Sequence, residues 1–544
     1  MQSIRTWILA SSVITLCMTL PLHAQQTTAA DAATTAAVSP ASDSLVFDGG
    51  VQNDNAHVSG NAHHYEQYVS PAQGLSLTPL ELRFYLPDSR LQGDLQLRNL
   101  GNSSQGGNLW ASLDSGALYL RAQLRRSEFY RDWSSSGQAL ARNDGAYNLL
   151  MPIGKTEWQL GYTNTNLMGN GAATPEAWTL ESFGLSGARS VQGWPIRVGF
   201  TEEAFTFDQG DRYTGNTHAV NIRFNTPLAG RSQFGGSAVL AQTFLNGSST
   251  SPWNYRLALD GSHELTKDLT LTADAMHLAT MDAIAQNFYA SSDSSADLRA
   301  DYQGIAHTQL TVGGMMRAVD VVNVDEKTTT PVTQNSAFGE VRVHLYKSLK
   351  VKARLDHQWT GNRPASFDAT DFPEKSLFWS AKDDQQLEVS YAPNWRAGVT
   401  ARWRQLSWQN KDFATDNALL ERNLTGWYLL NDRVTVYATY LVQNFDLTGT
   451  DPTVPAASDG FTLSSGASWQ VLPLLNVDIA YSNTDSRGAL NLNQRTLSLG
   501  TEYQWKFGGR LSAHVALDDF NAEAGSTVPG YRAVLFNVQF TEAF

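Results

Sequence analysis

Short tight turns alternate with longer polar segments from about residue 266 to the end of this 544-residue chain. Each turn is flanked by about ten residues of alternating apolar and polar character, and a tilted strand of that length can cross the hydrocarbon core of a bilayer. Short turns on one side of a membrane and longer loops on the other are typical of an outer-membrane β-barrel. The clearest turns are Thr266-Lys267-Asp268, Tyr346-Lys347-Ser348, Pro393-Asn394-Trp395, Asn431-Asp432-Arg433, Pro473 and Gly508-Gly509.

The number of turns predicts the number of strands. Six further turns are predicted at 303–308, Pro227 to Gly230, Val191 to Pro195, Pro152 to Lys155, Asp114 to Ala117 and Pro87 to Arg90. With a first strand inside 46–70 and a last strand over 531–544, the total is about 26 strands, within a range of 22 to 26. We therefore predict an all-β protein: one large antiparallel transmembrane β-barrel with short periplasmic turns and longer extracellular loops, mostly of about 10 to 17 residues.

The alternation is plainest near the C-terminus. Leu497, Leu499 and Tyr503 share one side of a strand, while Thr496 and Ser498 lie on the other, as the two-residue period of a strand requires. The last strand places a similar stripe on one side: Val534, Phe536, Val538, Phe540 and Phe544. A soluble β-sandwich would alternate in the same way, but it would not combine such strands with a secretory signal and an aromatic last residue. The stripe ending at Phe544 is similar to the signal that the outer-membrane assembly machinery reads, so we expect that machinery as a partner.

The chain divides into three predicted segments. Residues 1–24 combine Arg5, an apolar run and a small-residue cleavage site ending at Ala24, which are the features of a secretory signal peptide. Residues 25–45 are rich in Ala, Thr and Ser and are expected to form a flexible periplasmic lead-in. Residues 46–544 are predicted to form the barrel. This organisation predicts the outer membrane of a Gram-negative bacterium, in contact with its lipid and its lipopolysaccharide.

Several function classes are disfavoured. The net charge of −13 argues against a nucleic-acid partner. The only cysteine, Cys17, lies in the predicted signal peptide, so no disulfide, thiolate metal site or Cys-x-x-Cys-His haem attachment is expected beyond it. No catalytic motif is present, so we expect no enzyme activity, no catalytic or metal-binding residues and no cofactor in this chain. The acid pairs Asp383-Asp384 and Asp518-Asp519 could bind a divalent cation, but solvated loop charge is the favoured interpretation.

The alternation also predicts which charged side chains face the lumen, because they lie opposite apolar stripes such as Val341 and Val343. The residues expected to line the lumen and to contact an enclosed partner are Arg342, His344, Lys352, Arg354, Arg402 and Arg404. Paired charges could hold a protein inside the barrel. The alternative is that these side chains only solvate an aqueous lumen.

Three features lie near the N-terminus of the predicted barrel. They are Tyr65-Glu66-Gln67-Tyr68 followed by Pro71 and Gly74, the strand Leu95 to Leu97 running into Arg98-Asn99-Leu100-Gly101, and a hairpin over 108–126 closed by Phe129-Tyr130-Arg131. In these residues the chain resembles the MtrB/PioB-type outer-membrane β-barrels of porin–cytochrome electron conduits. The resemblance implies a sheath around a periplasmic multihaem c-type cytochrome, with every haem carried by that partner.

The predicted strand number leads to a similar hypothesis. Barrels of about 16 to 18 strands leave a water channel, and barrels of about 22 strands carry a plug. No segment of this sequence resembles a plug, so a barrel of about 26 strands would need another occupant. The leading hypothesis is a non-enzymatic sheath that holds the cytochrome for electron transfer across the outer membrane. The alternatives are a diffusion or substrate-specific porin for a bulky solute such as an oligosaccharide, and an adhesion or assembly factor acting through its loops.

Overall fold

The structure is a computed structural model of the full chain, and it describes eighteen stretches of the sequence. These are residues 44–60, 74–86, 90–100, 105–113, 117–130, 139–170, 177–208, 212–226, 230–246, 251–281, 290–323, 328–361, 380–410, 415–448, 457–488, 492–505, 508–522 and 530–543. The predicted signal peptide, nearly all of the lead-in, the segment 65–71 of the family resemblance and Phe544 lie outside the described residues.

Every described element of regular structure is a β-strand. The strands are β1 (Ser44–Gly60), β2 (Gly74–Leu86), β3 (Leu91–Arg98), β4 (Gln105–Leu113), β5 (Leu118–Tyr130), β6 (Ala139–Ile153), β7 (Thr156–Asn170), β8 (Ala177–Val191), β9 (Trp194–Asp208), β10 (Arg212–Asn225), β11 (Ser232–Leu245), β12 (Trp253–Thr266), β13 (Leu269–Thr280), β14 (Ala290–Ile305), β15 (Thr308–Asn323), β16 (Thr328–Tyr346), β17 (Leu349–Gly361), β18 (Ala381–Asn394), β19 (Ala397–Asn410), β20 (Thr415–Asn431), β21 (Val434–Thr448), β22 (Ala457–Leu472), β23 (Leu475–Gly488), β24 (Leu492–Gln504), β25 (Arg510–Ala522) and β26 (Tyr531–Ala543). Within the described stretches no helix is long and apolar enough to cross a membrane.

The strands form one closed antiparallel sheet. Each strand pairs with its neighbours in the chain, and β1 pairs with both β2 and β26, which closes the cylinder. The pairing of β1 with β26 runs over thirteen consecutive residue pairs, from Asp48 with Ala543 to Gly60 with Tyr531. Closure leaves no unpaired sheet edge, which a barrel in a membrane requires. The prediction of a large antiparallel barrel with about 26 strands is confirmed.

Short intervals of 2 to 6 residues separate each even-numbered strand from the next odd-numbered strand. Gln192 and Gly193 join β8 to β9, and their φ angles of 52° and 86° are both positive. Two positive φ angles define the type I′ turn, whose twist matches that of the two strands it joins. Glycine adopts this conformation without a clash from Cβ. Each of the twelve predicted turns lies at one of these connections.

The connections at the other end of the barrel vary in length. The intervals between strands range from 3 residues at 209–211 to 19 residues at 362–380. Most are shorter than the predicted 10 to 17 residues, so that length estimate was wrong. The residues are instead taken up by the strands, which reach 19 residues in β16, because backbone pairing continues past the ends of the membrane-crossing segment.

The register separates an apolar outer face from a polar inner face. On β23 to β26 the residues Leu475, Tyr503, Leu511 and Phe540 are successive cross-strand partners on one face. The opposite face of the same strands carries Ser482, Thr496 and Asp518, also successive partners. Large apolar side chains on the first face are well exposed, for example Leu499 at 46%. Exposed apolar side chains on the outside and polar ones inside are the arrangement of a transmembrane barrel.

Candidate functional site

The lumen is the candidate site, and its width follows from the strand number. Twenty-six strands spaced about 4.8 Å apart and tilted by roughly 40° close into a cylinder about 50 Å across between opposite backbones. Inward side chains reduce the open width to about 35 Å, and all described strand residues belong to the wall. Such a lumen is wide enough for a small folded protein.

The register places the six sequence-predicted residues on the inner face of β16, β17 and β19. Arg342 is the cross-strand partner of Lys352, and His344 is the partner of Lys350. Lys352 is also the cross-strand partner of Glu388 on β18, and Glu388 is the partner of Arg402 on β19. In the same way, Arg354 and Arg404 are the two cross-strand partners of Gln386 on β18. The six side chains therefore form one patch of the lumen wall.

A buried carboxylate, Glu340, holds three of these cations. Its side chain is only 7% exposed, and its Oε1 accepts a hydrogen bond from Arg342 Nε at 2.5 Å. Its Oε2 lies 3.3 Å from Lys352 Nζ and 3.8 Å from an Arg354 guanidinium nitrogen. Glu340 was not among the residues predicted from the sequence. It lies two positions before Arg342 on the same strand, and therefore on the same face, so it could have been predicted from Arg342. Arg354 also pairs with Asp356, so these three cations face two carboxylates and keep one positive charge in surplus toward the lumen.

Two other carboxylates organise the remaining arginines. Asp384 accepts two hydrogen bonds from Arg404, at 3.0 Å to Nε and 2.7 Å to Nη2, which is the bidentate geometry that suits a guanidinium. Arg354 donates to Asp356 at 3.0 Å and lies 4.8 Å above the centre of the Phe338 ring. These side chains are fixed by the wall itself.

His344 and Arg402 differ from the other four residues. In the described part of the chain neither side chain forms an ion pair or a side-chain hydrogen bond. Arg402 faces Glu388 and Asn423 in the register without a salt bridge to Glu388. The two residues are thus the members of the predicted set whose polar groups stay open to the lumen.

An acidic ladder, which was not predicted from the sequence, lies on strands β12 to β14. Asp260, Asp274 and Asp297 are direct cross-strand partners on the inner face. Arg299, the nearest base on β14, donates instead to Asp301, at 2.8 Å. Like charges directly opposite each other destabilise a sheet. Asp260 also interacts with Arg223 of β10, and Asp297 interacts with Arg299, whereas the charged neighbours of Asp274 among the described residues are the two other carboxylates. The wall therefore presents a row of carboxylates that is least compensated at Asp274, and β15 separates this row from the positive patch of β16 to β19.

The structure separates the members of both acid pairs. Asp384 faces the lumen and binds Arg404, while Asp383 faces outward, 2.6 Å from His357 Nδ1. Asp518 faces inward and accepts a hydrogen bond from the Tyr531 hydroxyl at 3.1 Å, while Asp519 faces outward. Adjacent strand residues point to opposite faces, so neither pair can chelate one cation. Among the residues with described positions, no group of three His, Cys, Asp or Glu side chains could hold a metal ion.

Part of the inner wall is buried in the half of the barrel that lies nearest the longer connections. Val319 and Val332 are cross-strand partners on the inner face and are 1% and 2% exposed. Asp293, the partner of Val319 on β14, is buried as well and binds Arg317 Nη2 at 2.6 Å. Further round, on β10, Thr217 is buried on the same face. This sector of the wall is shielded from lumen water, whereas Arg342, Lys352 and Arg354 are 35% to 50% exposed.

The chain is similar to known proteins in fold and not in sequence. No protein-family model matches the chain, and no curated protein matches it in sequence. The siderophore receptor PirA from Pseudomonas aeruginosa matches 93% of this chain and 82% of its own at 12% identity, with a TM-score of 0.51. A mutant of the ferric enterobactin receptor PfeA from the same organism matches 93% and 81% at 10% identity, with a TM-score of 0.53. The copper transporter OprC matches 92% and 80% at 11% identity, with a TM-score of 0.50.

Identities this low show a shared architecture and nothing more specific. The shared feature is a large closed barrel, which in this chain has an apolar outer face and a polar inner face. Closed antiparallel barrels of this kind are proteins of the outer membrane. The chain is therefore an outer-membrane β-barrel protein of a Gram-negative bacterium.

Proposed function

We propose that this barrel is a non-enzymatic conduit that holds a periplasmic multihaem c-type cytochrome in its lumen for electron transfer across the outer membrane. The observation that carries the proposal is the closed ring of 26 strands. A lumen of the calculated width of about 35 Å would breach the permeability barrier unless it were filled, so a wall of this size calls for an occupant. The resemblance to MtrB/PioB-type barrels supports a cytochrome as that occupant.

The charges of the lumen wall support a folded protein as the occupant. The acidic ladder of Asp260, Asp274 and Asp297 lies beside the positive patch that includes Arg402 and His344. A protein surface with both signs of charge could face the two patches at once, and complementary charges fix the orientation of a bound protein. The haems would belong to the cytochrome, and this chain would supply the sheath and the orientation.

A second candidate function is a porin for a bulky solute such as an oligosaccharide. The buried inner wall on β14 to β16 favours it, because shielding of Val319 and Val332 is also what a narrowed lumen would produce. The similar structures are a siderophore receptor and a copper transporter, which is compatible with solute transport on this fold.

Purification from native outer membranes separates the two functions. The barrel would be isolated through an affinity tag in mild detergent, and the preparation would be examined by haem staining and by its visible absorption. The cytochrome sheath predicts a haem-containing protein that remains with the barrel in a constant ratio. A colourless barrel that is pure, and that conducts ions in planar bilayers without further treatment, would contradict the sheath and support the porin.

A further inference from the structure

A row of polar residues crosses the outer face of β23 to β26. The row consists of the successive cross-strand partners Asn483, Arg495, Asp519 and Arg532. The next row toward the short turns is apolar and exposed, and it consists of Tyr481, Leu497, Leu517 and Val534. The polar row is therefore the edge of the apolar belt on these four strands.

The row lies at the extracellular edge of the belt. The tight turn after Gln504 joins β24 to β25 at the periplasmic end, and Arg495 lies in the opposite half of β24. Short turns of outer-membrane barrels are periplasmic. The row thus faces the outer leaflet, at the level where the apolar acyl chains end and the lipid headgroups begin.

Three guanidinium groups are concentrated at this edge. Arg532 donates to Asp519 at 2.9 Å, and its side chain remains 69% exposed. Arg495, on the other side of Asp519, forms no ion pair or side-chain hydrogen bond with the described residues, and it lies two strand spacings, or about 10 Å, from Arg532. Arg487 lies beyond the row on β23, 73% exposed and 3.3 Å from Asp485. We call Asp485, Arg487, Arg495, Asp519 and Arg532 the rim patch.

Other outward arginines are not clustered in this way. Three other arginines face outward among the strand residues whose side chains are described: Arg126 on β5, Arg189 on β8 and Arg422 on β20. No two of these strands are neighbours in the sheet. A guanidinium matches the geometry of a phosphate because its planar fork donates two parallel hydrogen bonds. Arginines on neighbouring strands at headgroup level are therefore suited to a lipid that carries phosphate groups.

We propose that the rim patch binds the phosphate groups of lipopolysaccharide in the outer leaflet. The apolar rows below the patch contact the acyl chains, and Arg495 and Arg532 bind phosphate on either side of Asp519. Asp519 holds the Arg532 guanidinium in place. Its carboxylate can also bind a divalent cation, which in turn binds a second phosphate. This site lies on the outer wall, so it is independent of what occupies the lumen.

The test is calorimetric titration of the folded barrel, in detergent, with purified lipid A. The double variant Arg495→Gln/Arg532→Gln is expected to weaken the binding about tenfold, because two charge-assisted contacts are lost. The double variant with Lys at both positions should lose only about threefold, because it keeps the charge but not the fork. Arg189→Gln, at the periplasmic end of the same outer face, is the matched control and should leave the binding unchanged.

The source of the phosphate is distinguished in the same experiment. Lipid A from which the phosphates have been removed should bind the wild-type barrel at least about tenfold more weakly, and inorganic phosphate should not displace intact lipid A. Equal binding of lipid A by the wild type and the Gln double variant, equal binding of the dephosphorylated lipid, or displacement by inorganic phosphate would each overturn the proposal. Folding of each variant is checked by heat-modifiable mobility on gels. If the double variant does not fold, Arg495→Gln alone is used, with an expected loss of about threefold.

Discussion

Replacing Glu340 by glutamine removes the one carboxylate that faces three lumen cations. Arg342, Lys352 and Arg354 remain 50%, 35% and 35% exposed, so lumen water screens each pair. We assign about 0.7 kcal/mol to each contact, as for partly exposed ion pairs, which gives a loss of about 2 kcal/mol. For a chain of this length that loss corresponds to a fall of about 2 °C in the unfolding midpoint.

The assay is the temperature at which the folded barrel, reconstituted in lipid vesicles, loses its heat-modifiable gel mobility. Glu388→Gln is the matched control, because Glu388 lies on the same inner face but forms no salt bridge with the described residues. The difference between Glu340→Gln and the wild type should shrink in about 1 M salt, where charges are screened over about 3 Å. An unchanged midpoint for Glu340→Gln, or an equal fall for Glu388→Gln, would refute the assignment of Glu340 as the centre of this network.

Three further perturbations test the wall. Asp274→Asn removes the middle charge of the acidic ladder, whose charged neighbours are the two other carboxylates. The cation selectivity of the empty barrel, measured as a reversal potential in planar bilayers, should therefore fall, and the stability of the barrel should rise by a few tenths of a kcal/mol. Unchanged selectivity would contradict an uncompensated charge at Asp274. Val389→Arg, on the outer face, should destabilise the folded barrel in vesicles by about 2–4 kcal/mol. Ser390→Arg, at the adjacent residue on the inner face, should destabilise it by less than about 1 kcal/mol. Equal destabilisation by the two substitutions would contradict the assigned faces. Gly193→Ala should destabilise the β8–β9 turn by about 1 kcal/mol, because Gly193 has a φ of 86°. Gly339→Ala should be neutral, since a Cβ at that position meets no atom within 4 Å. Equal folding yields of the two variants would contradict the turn assignment.

Much of the fold could be predicted because barrel structure is local in sequence. A turn such as Gln192-Gly193 is recognised from adjacent residues, and the two-residue period then assigns each neighbouring side chain to one face. The strand number follows from the turns alone. The lengths of the extracellular connections could not be predicted in this way, since no sequence signal marks where pairing ends above the membrane, as the 19 residues of β16 illustrate.

The contacts of the lumen wall were less predictable, because they depend on the register between strands. Parity places Arg342, Lys352 and Glu340 on the same face, but only the register shows that Glu340 lies within reach of both cations. The acidic ladder has the same origin: Asp260 and Asp274 are fourteen positions apart in the chain and become neighbours only when β12 pairs with β13. The opposite orientations of Asp518 and Asp519 could have been predicted from the sequence, since consecutive residues of a strand face opposite sides.

The most direct test of an occupied lumen is the accessibility of a cysteine placed on the inner wall. The sequence has one cysteine, Cys17, so Lys350→Cys on the inner face of β17 gives a single label site in the barrel, and Lys267→Cys in a periplasmic turn gives a control. A hydrophilic maleimide should label Lys267→Cys in native outer membranes and in the barrel refolded alone. We predict that Lys350→Cys is labelled in the refolded barrel and protected in native membranes. Equal labelling of Lys350→Cys in the two preparations would contradict a protein inside the barrel.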